Sequence, residues 1–369
     1  MDGIDQLIET SHLFGNDARF VLLGGGNTSL KINETMWIKA SGTQLGTISE
    51  NGFVKMSLVK LQKIWGRAYS DDPKLREAQV LSDMMNSREE GETLRPSVEV
   101  LLHSFLPFPC VVHLHPALVN GMTCGQTGLD SCSSLFPDAV WIPLVNPGFI
   151  LANVVRKAFL EYKERTGNFA KVIFLQNHGV FVAGDSFAEI NGLYARIMDK
   201  LGSFVTRQPN FDEVKPNRKR FDAAVDAVSQ YFGHSCVGFL NRELSNRIVT
   251  RDSFESVSSA FTPDHIVYSG FMPLWIDDSV FRTKTPVQAI IAECRSFEEK
   301  NGACPKVIAI QGTGAFCESD KSKLLFLDTM KVAAYSESFG GPRFMTADQI
   351  DFIRHWEVES YRAKAASGK

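Results

Sequence analysis

The sequence predicts an α/β fold in two domains, on three observations. Short apolar runs rich in β-branched residues alternate with longer stretches of helical periodicity. A polar segment holding two prolines, 206–220, divides the chain, and one strand–turn–strand pattern occurs twice. At 369 residues the chain exceeds a usual domain of about 100–200 residues. The expected division is residues 1–205, a linker at 206–220, and a smaller α/β domain at 221–369. With 44% hydrophobic and 22% charged residues, each part can bury a core.

Along the first domain, Phe20–Leu23, Met36–Lys39, Val111–Leu114 and Val172–Leu175 read as strands, and Met56–Gly66 and Phe187–Val205 as helices. Ser186 and Glu189 have the capping-box spacing that starts the last helix, which is expected beside the strand 171–175. In the second domain, Lys306-Val-Ile-Ala-Ile-Gln-Gly-Thr-Gly-Ala-Phe316 matches Lys171-Val-Ile-Phe-Leu-Gln-Asn-His-Gly-Val-Phe181 at six of eleven positions. Two accounts fit: an internal duplication, making the C-terminal domain a degenerate copy, or two hairpins with convergent sequences. Thr313 stands where the first copy has His178, so metal chemistry is expected in the N-terminal half.

Charge and cysteine usage narrow the function. With 39 Lys+Arg against 42 Asp+Glu there is no basic footprint for nucleic acid or an anionic membrane. The N-terminus is acidic where a signal peptide is basic, and no apolar run reaches membrane-spanning length, so a cytoplasmic protein is expected. Seven dispersed cysteines contain no C-x-x-C pair. Any metal must therefore find its ligands among histidines and carboxylates.

In Cys110-Val-Val-His-Leu-His-Pro116 the two-residue period of a strand turns His113 and His115 to one face, and Pro116 ends the strand. His178, in Gln176-Asn-His-Gly179, follows a buried-looking strand, where a turn can present a third imidazole. Three histidines leave one metal position open, which distinguishes catalytic from structural zinc. Glu99 lies near the start of a short helix opened by Pro96 and Ser97, placed to act as a base. His103, four residues on, either orients Glu99 or packs in the core.

Two glycine-containing loops, Leu23-Gly-Gly-Gly-Asn-Thr-Ser29 and Lys39-Ala-Ser-Gly-Thr43, offer backbone and side-chain donors, either as an anion cradle or as plain turns. Neither Gly24–Gly26 nor Gly312–Gly314 completes a dinucleotide fingerprint, because Ser29 and Cys317 stand where a third glycine is needed. Nicotinamide binding is not expected.

Together, G-G-N-T-S at 25–29, A-S-G-T at 40–43, P-S-V-E at 96–99, H-L-H at 113–115 and N-H-G-V at 177–180 resemble, in order, the class II aldolase/adducin family over roughly residues 1–205. The glycine-rich form and the length are also similar to the aldolase part of bifunctional rhamnulose-1-phosphate aldolase/alcohol dehydrogenases. The resemblance implies a three-layer α/β/α domain in a homo-oligomer, usually a tetramer. It makes His113, His115 and His178 the ligands of Zn²⁺ or another divalent ion and Glu99 the acid/base. Gly26, Asn27, Ser41, Gly42 and Ser97 then bind a substrate phosphate. Two departures stand out: Pro96 replaces a phosphate-binding serine, and the Glu99–His113 interval is short.

The expected activity is cleavage of a ketose, or ketose 1-phosphate, through a metal-stabilised enediolate. The same site could serve a sugar-acid-phosphate decarboxylase, epimerase or dehydratase. An adducin-like scaffold is the non-catalytic alternative, and the retained histidines and Glu99 weigh against it.

Overall fold

The computed structural model describes residues 3–356. These divide into two compact units, one made of residues 3–123 with Gly128–Phe204, the other of Cys124–Thr127 with residues 205–356.

The first unit holds a seven-stranded mixed sheet. Its strands are β1 (Asn27–Ile32), β2 (Thr35–Lys39), β3 (Phe53–Ser57), β4 (Cys110–Leu114), β5 (Val140–Ile142), β6 (Val172–Leu175) and β7 (Gly179–Gly184), in the order β3-β2-β1-β4-β7-β6-β5. Every pairing is antiparallel except β5–β6. Alternation along β4 sends Val111 to one face and Val112 to the other. On the Val111 face, helices Leu58–Ile64, Pro73–Asn86, Val100–Phe105 and Phe149–Thr166 bury Leu61, Val80, Leu101 and Phe159 against Ile38, Val54, Phe181 and Ala183. On the other face, Gly3–Gly15 and Phe187–Phe204 cover the sheet, and the buried Tyr194 hydroxyl donates to the Val112 and Val180 carbonyls. The result is a three-layer α/β/α unit.

Two expected elements differ. Phe20–Leu23 is a turn, not a strand: Leu23 is left-handed (φ 53), and pairing begins only at Asn27. The expected helix at 56–66 starts two residues later, because Phe53–Ser57 pairs with β2. Half of the expected capping box forms. Ser186 Oγ accepts from Glu189 N–H, but the Glu189 carboxylate accepts from Asp185 N–H. The helix it starts packs on β4 and β7.

Lys31 on β1 is enclosed, and its ammonium donates to the Leu106 carbonyl. Burial pushes its pKa down from 10.5 to about 7. Between those values the unfolded chain binds the extra proton, so stability should rise with pH across that window, by at most about 1.4 kcal/mol per pH unit. Urea midpoints measured from pH 7 to 9 should rise more steeply in the wild type than in Lys31→Met, which keeps the smaller contribution of the buried Lys306; an equal slope in both proteins contradicts the account.

The second unit carries β8 (Val237–Phe239), β9 (Leu274–Ile276), β10 (Val307–Ile310) and β11 (Gly314–Cys317), ordered β8-β11-β10-β9. Its pairings, antiparallel, antiparallel and parallel, are those of β4-β7-β6-β5. The likeness extends to single hydrogen bonds. Gln176 N–H donates to Ile142 O as Gln311 N–H does to Ile276 O, and Asn177 N–H to Thr123 O as Gly312 N–H to Ile248 O. Asn177 and Gly312 are both left-handed, at φ 56 and 61. The two units thus share connections well beyond the hairpin itself. The polar segment expected as a linker is partly anchored in this unit: Arg242 N–H donates to Asp212 O, Val214 N–H to Leu240 O, and a helix begins at Arg218.

Candidate metal centre

Three neighbouring strands bring the site together. Antiparallel pairing sets Asn27 on β1 opposite His113 on β4, and His113 opposite Phe181 on β7. His115 follows β4, and His178 sits in the turn between β6 and β7, which left-handed Asn177 closes. Candidate ligand atoms of His113, His115 and His178 all lie within 4.8 Å of one another. Gly179 is required here: a Cβ on it would lie 2.5 Å from the Leu114 carbonyl oxygen and 2.8 Å from His115 Cδ2.

His113 is fully buried and stacks on Phe181, with ring centroids 4.0 Å apart and planes at 17°. Its Nδ1 lies 3.1 Å from the Val180 carbonyl oxygen, which only an N–H can satisfy, so Nε2 carries the lone pair. That Nε2 is 2.8 Å from His115 Nε2.

Glu99 is the N-cap of helix Val100–Phe105, yet its carboxylate makes no capping bond. It turns into the site instead. Oε2 accepts from Asn27 Nδ2 at 2.6 Å, while Oε1 lies 3.3 Å from His113 Nε2 and 3.5 Å from His178 Nε2. Oε1 is buried without a hydrogen-bond partner. An unpaired carboxylate oxygen among converging imidazole nitrogens fits a divalent cation, and imidazole with carboxylate suits zinc and its neighbours.

The expected phosphate-binding residues are placed unequally. Asn27 is engaged at both ends of its amide, Nδ2 with Glu99 and Oδ1 with His103. Gly26 (φ 67) admits a close approach to β4, since a Cβ there would lie 2.9 Å from the His113 carbonyl oxygen. An isolated bridge between Ala40 and Pro96 sets the 40–43 loop beside the 95–97 segment, with Ser41 N–H donating to Arg95 O and Ser97 N–H to Lys39 O. Ser97 Oγ accepts from Glu99 N–H. Sequence reasoning left the roles of Ser29, Phe181 and His103 unassigned. The i, i+4 spacing of Glu99 and His103 was the available signal.

In the second unit, Phe316 takes the place of Phe181 and pairs with Gly238. The positions of His113, His115 and His178 are thus held by Gly238, Leu240 and Thr313. Phe221 fills the space: its ring atoms lie 2.8 Å from a Cβ built on Gly238 and 3.0 Å from one on Gly314. Among the described residues no cluster of ligating side chains lies there.

The chain is similar to Uncharacterized oxidoreductase YuxG of Bacillus subtilis (strain 168), at 24% identity over 99% of this chain and 58% of the relative's length. It thus spans little more than half of that relative. Among solved structures it is similar to the N-terminal class II aldolase domain of a conserved protein from Thermoplasma acidophilum (27% identity, 55% of this chain and 93% of that one, TM-score 0.46). It is also similar to L-fuculose-1-phosphate aldolase from Thermus thermophilus (14% identity, 53% and 92%, TM-score 0.35). No helix among the described residues is long and apolar enough to cross a membrane. The family model of the Class II Aldolase and Adducin N-terminal domain matches residues 5–196, so the chain belongs to the class II aldolase and adducin family.

Proposed function

We propose that the chain is a metal-dependent lyase that cleaves a carbon–carbon bond of a ketose or ketose 1-phosphate, with His113, His115 and His178 as ligands and Glu99 as acid/base. The observation that carries this reading is the unpaired Glu99 Oε1 facing two imidazole nitrogens. A bound divalent ion, Zn²⁺ by donor chemistry, supplies Lewis-acid polarisation of a substrate carbonyl and its adjacent hydroxyl.

The protein's part is positioning and proton transfer. Asn27 pins one carboxylate oxygen, leaving the other to take a hydroxyl proton or return one to the carbon released by cleavage. The Val180 carbonyl and the Phe181 ring fix His113 so that Nε2 faces the site. Ser41, Gly42, Ser97 and Gly26 remain the donors for a phosphate, with Asn27 committed to Glu99. Family membership further supports a cytoplasmic homo-oligomer acting on a small sugar or sugar phosphate. A scaffold would have no need of three converging imidazoles beside an unpaired carboxylate oxygen.

The test is a panel of ketoses, ketose 1-phosphates and sugar-acid phosphates with the Zn²⁺-loaded protein, read by release of aldehyde, CO₂ or water. Aldehyde release from a ketose supports the lyase reading. Exclusive CO₂ or water release, or epimerised product, assigns the site to another reaction.

A further inference from the structure

We infer that Ser29 and His103 form, with Asn27, a hydrogen-bonded chain of fixed polarity that positions Glu99; His103 is its central positioning residue. The inference rests on the acid/base reading of Glu99 proposed above, and on geometry in which each link dictates the next.

A carboxylate only accepts, so the Asn27 group facing Glu99 Oε2 at 2.6 Å is its NH₂. That leaves Asn27 Oδ1, an acceptor, against His103 Nε2, which must therefore carry the proton. In the neutral ring Nδ1 is then bare, and it accepts from Ser29 Oγ–H at 2.7 Å. Burial holds His103 neutral by pushing its pKa well below the ordinary value, with Lys31 as a lesser cause. The ring itself is fully buried, its edge against Phe181 at 5.4 Å between centroids.

The chain thus runs from the Ser29 hydroxyl through His103 Nδ1 and Nε2–H and the Asn27 amide to Glu99 Oε2. Its elements come together from β1, which supplies Ser29 and Asn27 on one face, and helix Val100–Phe105, which supplies His103 four residues beyond Glu99. Reversing any link would put two acceptors in contact. Were the proton on Nδ1 instead, Nε2 would face Asn27 Oδ1 as a second acceptor, and Asn27 would no longer be held with its NH₂ toward Glu99.

Two readouts test this. Long-range ¹⁵N–¹H spectra of histidine-labelled, metal-free protein should show His103 as the Nε2–H tautomer, and Asn27→Leu should shift it toward Nδ1–H, donating to Ser29 Oγ, because the acceptor that holds the proton on Nε2 is gone. With the metal-loaded protein, His103→Leu should lower kcat about 10- to 100-fold with KM and metal content unchanged, whereas His103→Gln, whose amide can reach Asn27, should recover most of the loss. A wild-type Nδ1–H tautomer or imidazolium, or an Nε2–H tautomer unchanged in Asn27→Leu, overturns the inference. So does His103→Leu with full kcat. The spectra need no turnover, so the predicted tautomers in a protein that cleaves no ketose would overturn the lyase reading and leave the positioning chain standing.

Discussion

Glu99→Gln should lower kcat about 10²- to 10⁴-fold while KM and metal content stay near wild type. The substitution is isosteric. A glutamine carbonyl oxygen can still accept from Asn27 Nδ2, so the side chain keeps its pose and loses only its charge and basicity. The pattern separates an acid/base from a structural N-cap. Glu99 makes no capping bond, so losing its carboxylate should cost the fold little. Steady-state kinetics on an active ketose, with ions counted per chain, is the measurement; unchanged kcat would remove Glu99 from the chemistry. Glu99→Ala should add the loss of the pinned oxygen, leaving Asn27 Nδ2 without its acceptor.

Gly179→Ala should destabilise the first unit by more than about 2 kcal/mol and abolish metal binding together. The added Cβ would fall 2.5 Å from Leu114 O and 2.8 Å from His115 Cδ2, that is, against backbone and a candidate ligand, neither of which can swing aside. Relief requires β4 and β7 to separate at the point where their pairing brings His113 and His178 together. Gly192 is the control: it lies in helix Phe187–Phe204 with open space around a Cβ, so Gly192→Ala should be neutral or stabilising by up to about 1 kcal/mol. Thermal melts of both variants, with and without Zn²⁺, check the contrast. Equal behaviour would mean that the β6–β7 turn does not depend on a missing side chain.

The ligands were legible in the sequence because their placement is local. A strand has period two, so H-x-H converges, and an Asn-His-Gly turn after an apolar strand presents its imidazole at the strand end. The partners that give Glu99 its direction were not legible. Asn27 reads as a donor in a glycine-rich loop until β1 is seen to pair with β4, and that pairing joins residues 27 and 113, which no local period connects. His103 was an open choice between core and site, and it is both: fully buried and bonded to Asn27. Phe20–Leu23 failed as a strand because its apolar run lies in a turn, which composition alone does not reveal. The likeness of the second unit to the first was readable only at its hairpin. That it lacks the third histidine was visible at Thr313, while the place of Phe221 requires the packed structure.

The central claim is that one metal centre is built by His113, His115 and His178 and that the second unit holds none. Calorimetric titration of chelator-treated chain with Zn²⁺ tests it most directly. The account predicts one tight site per chain, lost when each of the three histidines is replaced by alanine in turn and retained in Thr313→Ala. Two sites per chain, or a tight site that survives replacement of all three histidines, would contradict it.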